Sequence, residues 1–140
     1  MKAKKLITLT MILILAVSVI SPICALAANH PYSFNFANVV DSSRTGLYSK
    51  SDLEQHWYLS TYNYVGNTLS SSNILGVRMH DTAHIGYVSN YHTVASYTTN
   101  LCFDYTTQVS NVNNQFYMGA KKDDSSTSGA ALTISGQFCP

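Results

Sequence analysis

Ala130-Ala131-Leu132-Thr133-Ile134-Ser135-Gly136-Gln137-Phe138-Cys139 is the stretch that decides the fold class. Leu132, Ile134 and Phe138 fall on one parity, and Thr133, Ser135, Gln137 and Cys139 on the other. Strict alternation of this kind marks a strand with one face buried and one face wet. The same period recurs upstream. Tyr32, Phe34 and Phe36 alternate with Ser33 and Asn35, Leu75, Val77 and Met79 alternate with Arg78 and His80, and Gln115 to Lys121 reads as the penultimate strand. His56 to Val65 is the most aromatic segment, with Trp57, Leu59 and Val65 on one parity and Tyr58, Tyr62 and Tyr64 on the other.

Turn chemistry separates these runs. Asp41 to Lys50 and Lys121 to Gly129 read as polar loops, the latter with its charges in solvent, and Asn111 to Asn114 reads as a turn. Asp81-Thr82-Ala83 has the length of a hairpin loop, from which His84 to Val88 returns as a further strand. Tyr91 to Leu101 and Phe103 to Val109 give one or two more strands, bent at Asn100. Ser51-Asp52-Leu53-Glu54 has the form of a capping box for one helical turn, with Ser51 as N-cap and Glu54 as its partner. Ten tyrosines, few charges and no sustained amphipathic helix complete an all-β composition. About seven to eight short strands at close spacing predict an antiparallel β-sandwich, with a small barrel as the alternative.

Met1-Lys2-Ala3-Lys4-Lys5 is a positive start, Leu6 to Ile20 is apolar, and Ser21-Pro22-Ile23-Cys24-Ala25-Leu26-Ala27 ends in a small-x-small site. That order describes a secretory signal peptide over residues 1–27 and leaves 28–140 as one secreted domain. Cleavage after Ala28 is the second choice. The apolar run falls short of the roughly 20 residues that a spanning helix needs, so no transmembrane anchor is expected after cleavage. Residues 28–140 carry Arg44, Lys50, Arg78, Lys121 and Lys122 against Asp41, Asp52, Glu54, Asp81, Asp104, Asp123 and Asp124. This balance is slightly acidic and has no basic stripe, which argues against nucleic acid as a partner. Cys24 leaves with the leader, so Cys102 and Cys139 read as a disulfide pair in an oxidising compartment. Closing that loop would stabilise the fold by roughly 4 kcal/mol in the chain-entropy model. Two thiols, or use by a partner protein, are the alternatives.

A leader ending in Ala27-Ala28-Asn29-His30, an early Tyr-Ser-Phe-x-Phe strand (Tyr32 to Phe36) and a tail with Gly119-Ala120, a Ser125-to-Gly129 loop and Ser135-Gly136 resemble a group of proteins. These are the small secreted uncharacterised β-sandwich proteins of Gram-positive bacteria, a domain of unknown function, distantly similar to the lactococcin-like bacteriocins. The resemblance covers both ends of residues 28–140 and implies an exported two-sheet domain.

Three constellations are candidates for chemistry. Cleavage after Ala27 would expose Ala28-Asn29-His30, whose amine, amides and imidazole suit square-planar Cu(II) or Ni(II). His80 and His84, across a short loop and with Asp81 or His92 as third ligand, could hold a metal. Tyr58, Tyr62 and Tyr64 would share one strand face and offer apolar rings with polar tips to a ligand, although half-buried sheet positions also account for tyrosine. No Gly-x-Ser-x-Gly elbow and no triad spacing is present. The expectation is a secreted, non-enzymatic protein without a cofactor, binding an extracellular or cell-envelope ligand. A bacteriocin-like antimicrobial is the alternative, and a metal-dependent extracellular enzyme the second alternative.

Overall fold

A computed structural model describes residues 28–84, 86–109 and 114–140. The expected signal peptide and most of the expected Asn111–Asn114 turn lie outside the described residues. Within them the chain is all β. Nine strands run in the order β1 (His30–Phe36), β2 (Ser42–Arg44), β3 (Tyr48–Ser49), β4 (His56–Thr61), β5 (Leu75–Asp81), β6 (His92–Val94), β7 (Thr98–Asp104), β8 (Gln115–Lys122) and β9 (Leu132–Cys139). They form two antiparallel sheets. One has the order β1-β9-β4-β7, and the other β2-β8-β5-β6 with β3 also paired to β8.

The alternation seen in the sequence is what joins the sheets. Phe34, Phe36, Trp57, Leu59, Leu132, Ile134 and Phe138 from the first sheet share one hydrophobic core with Leu75, Val77, Met79, Phe116 and Met118 from the second. β9 is inserted between β1 and β4, paired with β1 from His30↔Phe138 to Phe36↔Leu132 and with β4 from Tyr58↔Cys139 to Thr61↔Gly136. Its central position demands a glycine. A Cβ on Gly136 would lie 1.9 Å from the Ser60 carbonyl oxygen and 2.8 Å from the Tyr32 hydroxyl. Tyr32 reaches across that gap to donate to the Ser60 carbonyl at 3.1 Å. The β4–β7 register shifts between Leu59 and Thr61, opposite Asn100, which takes a positive φ of 52°. Asparagine tolerates the left-handed region, so the bend expected at Asn100 is a β-bulge.

Several local expectations fail for identifiable reasons. Of the expected returning segment His84 to Val88, the described residues His84 and Gly86 to Val88 form no strand. The Asp81 carboxylate instead accepts the His84 backbone N–H at 2.8 Å, Gly86 turns out of the extended region at φ 114°, and β6 becomes the partner of β5. Ser51 to Glu54 forms no helical turn; Asp52 Oδ1 accepts the Glu54 N–H at 3.0 Å in a side-chain-closed bend. The expected loop at 41–50 contributes two short strands on the edge of β8.

The 121–129 loop also departs from a string of solvated charges. Lys122 keeps the inward parity of Phe116, Met118 and Ala120, is 2% exposed, and donates to the carbonyls of Ser128 at 2.7 Å and Ala130 at 2.6 Å. Asp123 is buried beside it. Lys50 is used in the same way. It is 3% exposed and its ammonium contacts the carbonyls of His56 and Pro140 and the Asp52 carboxylate, at 3.1, 2.9 and 3.0 Å. Three acceptors match its three donors.

Gly136→Ala is expected to lower stability by about 2–3 kcal/mol, because a backbone carbonyl cannot move aside as a side chain could. Tyr32→Phe should lose only about 1 kcal/mol, the hydrogen bond alone. Urea unfolding of both variants checks the pair, and a Gly136→Ala loss no larger than that of Tyr32→Phe would show that β9 can shift.

Candidate functional site

The outer face of the second sheet carries a concavity that follows from its register. β8 sends Tyr117, Gly119 and Lys121 outward, and β5 sends Gly76, Arg78 and His80. Arg44 of β2 and Arg78 of β5 are both paired with Gly119, so two arginines stand on either side of a glycine in one row. In the next row Lys121 stands beside Gly76, and in the row before it Tyr117 stands beside His80. The two glycines supply no side chains, and the walls around them enclose about 450 Å³. That volume lies within the range of about 300–1,000 Å³ common to ligand pockets.

The charge on this face is one-sided. Lys50 and Lys122 are buried on backbone carbonyls, and the other three cations of residues 28–140, namely Arg44, Arg78 and Lys121, all line the concavity. Among the described residues no carboxylate lines it. Lys121 is paired with Asp124 at 2.7 Å, but among the described residues neither arginine forms an ion pair. The guanidiniums rest on rings instead, Arg44 5.3 Å from the Tyr117 centroid and Arg78 3.4 Å from that of Tyr87. Such contacts steady a cation without neutralising it.

The aromatic wall is continuous. His80 lies flat on Tyr117 with centroids 4.7 Å apart and planes 6° apart, and Tyr87 meets it edge-on at 5.1 Å. His80 Nδ1 is 3.0 Å from the Gly86 carbonyl, while a Cβ on Gly119 would lie 3.1 Å from Nε2. Nε2 therefore faces the glycine floor. Burial depresses the His80 pKa; the bond to Gly86 opposes that and the Arg78 charge adds to it, with a net lowering. At the other end the Tyr91 hydroxyl sits where a Gly76 Cβ would be, 1.6 Å from that position, and donates to Asp123 Oδ2 at 2.7 Å. Burial, then the bond to Asp123, pushes the Tyr91 phenol up. Burial alone would raise the Asp123 carboxyl, but hydrogen bonds from Ser125 and Tyr91 outweigh it and hold it low.

The residues singled out from sequence are distributed differently. Cys102 and Cys139 both pair with Tyr58, one on each side of β4. They are two strand spacings apart, about 9.5 Å, whereas a disulfide needs a Cα separation of about 4.4–6.8 Å. The structure holds no disulfide between them. β4 ends at Thr61, so Tyr58, Tyr62 and Tyr64 do not share a strand face. Tyr62 and Tyr64 do meet, rings 5.3 Å apart, with Tyr62 donating to Gln137 at 2.9 Å. Tyr58 instead donates to Glu54 at 3.3 Å.

The histidines do not converge on a metal. His80 faces outward, whereas His92 is paired with Val77 on the inner side and stacks on Phe103 at 4.1 Å. The His84 Nδ1 lies 2.7 Å from Asp81 Oδ2. Among the described residues no three His, Cys, Asp or Glu side chains are grouped to hold an ion. Ala28 and Asn29 precede β1, while His30 is already in it, its ring stacked on Tyr48 at 3.8 Å. Chelation through Ala28, Asn29 and His30 would have to break that stack. What sequence reasoning missed is the basic concavity. Its signal was two glycines on the polar parities of two strands, but nothing local says that those strands are neighbours.

Comparison with protein-family models, with curated proteins and with solved structures finds no match to this chain.

Two outcomes follow from these contacts. His30 and His92, like His80, have depressed pKa values, in each case first through burial, with Asp104 opposing it at His92. Below the unfolded value of about 6.5 the unfolded chain binds protons that the folded chain does not, so stability should fall as pH drops from 7.5 to 5.5. Thermal melts should show the fall, and His92→Phe should reduce it; an unchanged melting temperature over this range would contradict the assignment. Gly76→Ala must expel the Tyr91 ring. The difference spectrum of alkaline titration should then show one more tyrosine ionising in the ordinary range near pH 10 than in the parent protein.

Proposed function

We propose that this chain is a secreted, non-enzymatic binding protein of β-sandwich form, residues 1–27 being its leader, and that it captures an acidic extracellular or cell-envelope ligand. The observation that carries this reading is the gathering of Arg44, Arg78 and Lys121 around a glycine-floored hollow that, among the described residues, no carboxylate lines. Holding like charges together on one small face costs folding free energy, and an anionic ligand offsets that cost. The overall balance of residues 28–140 is slightly acidic, so the patch is local and its partner is one that meets a small area. The tyrosines and histidine in the walls provide hydrogen-bonding tips and apolar faces, as binding surfaces use them. The resemblance to small exported proteins of Gram-positive bacteria agrees with an extracellular site of action.

The protein recovered from culture medium should begin at Ala28 on N-terminal sequencing. It should be retained on immobilised dextran sulfate and not on neutral dextran, with retention lost as salt screens the contact. The double variant Arg44→Glu, Arg78→Glu should pass through unretained while keeping the parent melting temperature within a few degrees. Equal retention of parent and double variant would remove this face from the proposal, and killing of an indicator strain by the secreted protein would favour the bacteriocin-like alternative.

A further inference from the structure

We infer that the floor at Gly119 is a subsite for a tetrahedral oxyanion, the phosphate or sulfate group of an ester, gripped from separate sides by Arg44, Arg78 and Lys121 with His80 Nε2 at its edge. The inference rests on the proposed capture of an acidic ligand and narrows that ligand to one chemistry. Four directions of approach support it. Arg44 and Arg78 flank Gly119 across the sheet, while Lys121 and Tyr117 flank it along β8. A planar carboxylate offers two oxygens in one plane and is satisfied by a single guanidinium fork. A tetrahedral group offers oxygens in several directions at once, which suits donors arranged around a floor rather than along one side.

The floor itself is shaped for close approach. Gly119 leaves space that a side chain would occupy, and the nearest atom to a Cβ there is His80 Nε2. Lys121 is the weaker arm because Asp124 already holds its ammonium at 2.7 Å, so the two guanidiniums, which have no carboxylate among the described residues, carry most of the attraction. His80 adds a proton-dependent arm. Its Nδ1 is turned to the Gly86 carbonyl, so a proton on Nε2 makes that nitrogen a donor toward the floor. The groups that face this imidazole are Tyr117 from β8, Tyr87 from the loop after β5, and Arg78 from its own strand, with Arg44 behind Tyr117. None of these is a carboxylate. An anion over Gly119 would supply the missing negative charge, and by linkage its binding and protonation of His80 strengthen each other.

The test is a heteronuclear NMR titration of the purified protein with sodium sulfate, inorganic phosphate and sodium acetate at constant ionic strength. Sulfate or phosphate should shift the amides of Arg44, Arg78 and Gly119 saturably, with acetate at least about tenfold weaker, the size of one lost charge-assisted hydrogen bond. The stronger of the two oxyanions identifies the ester. Arg44→Gln and Arg78→Gln should each weaken sulfate binding by about tenfold or more. Sulfate keeps its charge between pH 5.5 and 7.5, so it should bind more tightly at the lower pH and raise the apparent pKa of His80 relative to chloride. Equal binding of acetate and sulfate overturns the oxyanion subsite and leaves the acidic-ligand reading standing. If no anion shifts these amides while dextran sulfate still retains the protein, the subsite is likewise overturned and the broader reading survives. Loss of both overturns both.

Discussion

The Ser60 carbonyl faces Gly136 at a distance that admits no other residue, and the order of the first sheet depends on that contact. β9 has to lie between β1 and β4, and its inward parity is otherwise occupied by Leu132, Ile134 and Phe138. At Gly136 the β4 backbone comes too close for a Cβ, and the space above the glycine is crossed by Tyr32 from the strand on the other side. The tyrosine fills the gap with its ring and binds β4 with its hydroxyl, so β1, β9 and β4 are tied together at one point. Register errors are resisted there because a shift of one residue would place Gln137 or Ser135 against the carbonyl and turn the core face outward.

The second sheet uses the same device on its outside. Gly76 leaves a gap on β5, and Tyr91 lies over it to reach Asp123. In both places a glycine on a strand is covered by a tyrosine from a neighbouring segment whose hydroxyl finds an acceptor beyond. The difference is the side of the sheet. Tyr32 points into the core and serves cohesion, whereas Tyr91 lines the basic concavity and ties one end of it to the buried carboxylate of the 123–131 loop. That loop is anchored independently by Lys122 through the Ser128 and Ala130 carbonyls. The wall of the candidate site is thus connected to the core through two polar contacts.

Where one strand carries a clean alternation, its extent and its buried face are legible from its residues alone. β1, β5, β8 and β9 appear where their parities place them, and Asn100 bends its strand because asparagine tolerates a positive φ. Legibility stops where a side chain overrides the local pattern. Asp81 captures His84 and ends β5's expected hairpin, and Asp52 supplies the acceptor at the bend where Ser51 was expected to cap a helix. Lys121 and Lys122 look alike as a charged dipeptide, yet parity sends one to solvent and the other inward to carbonyls that only the folded loop presents. The cysteine pairing fails for a related reason. Both cysteines stand level with Tyr58, and the number of strands between them is a property of sheet order, which no single strand encodes.

Sheet order also explains why the candidate site was invisible while its ingredients were in view. Arg44, Arg78 and Lys121 are scattered in sequence, and a net charge near zero hides them. Two features of the fold concentrate them. The buried lysines are engaged by backbone carbonyls inside the fold, which withdraws positive charge from the rest of the surface. The acids are drawn to local partners, Asp52 to Lys50, Asp81 to His84, Asp104 to His56 and Asp123 to Tyr91. Among the described residues the two guanidiniums beside Gly119 are the exposed-face cations left with no ion pair, since Lys121 is held by Asp124. Because both stand on strands paired with β8, their spacing is held by backbone hydrogen bonds rather than by a mobile loop. A ligand that fits this spacing meets a site already formed, and little ordering entropy opposes its binding.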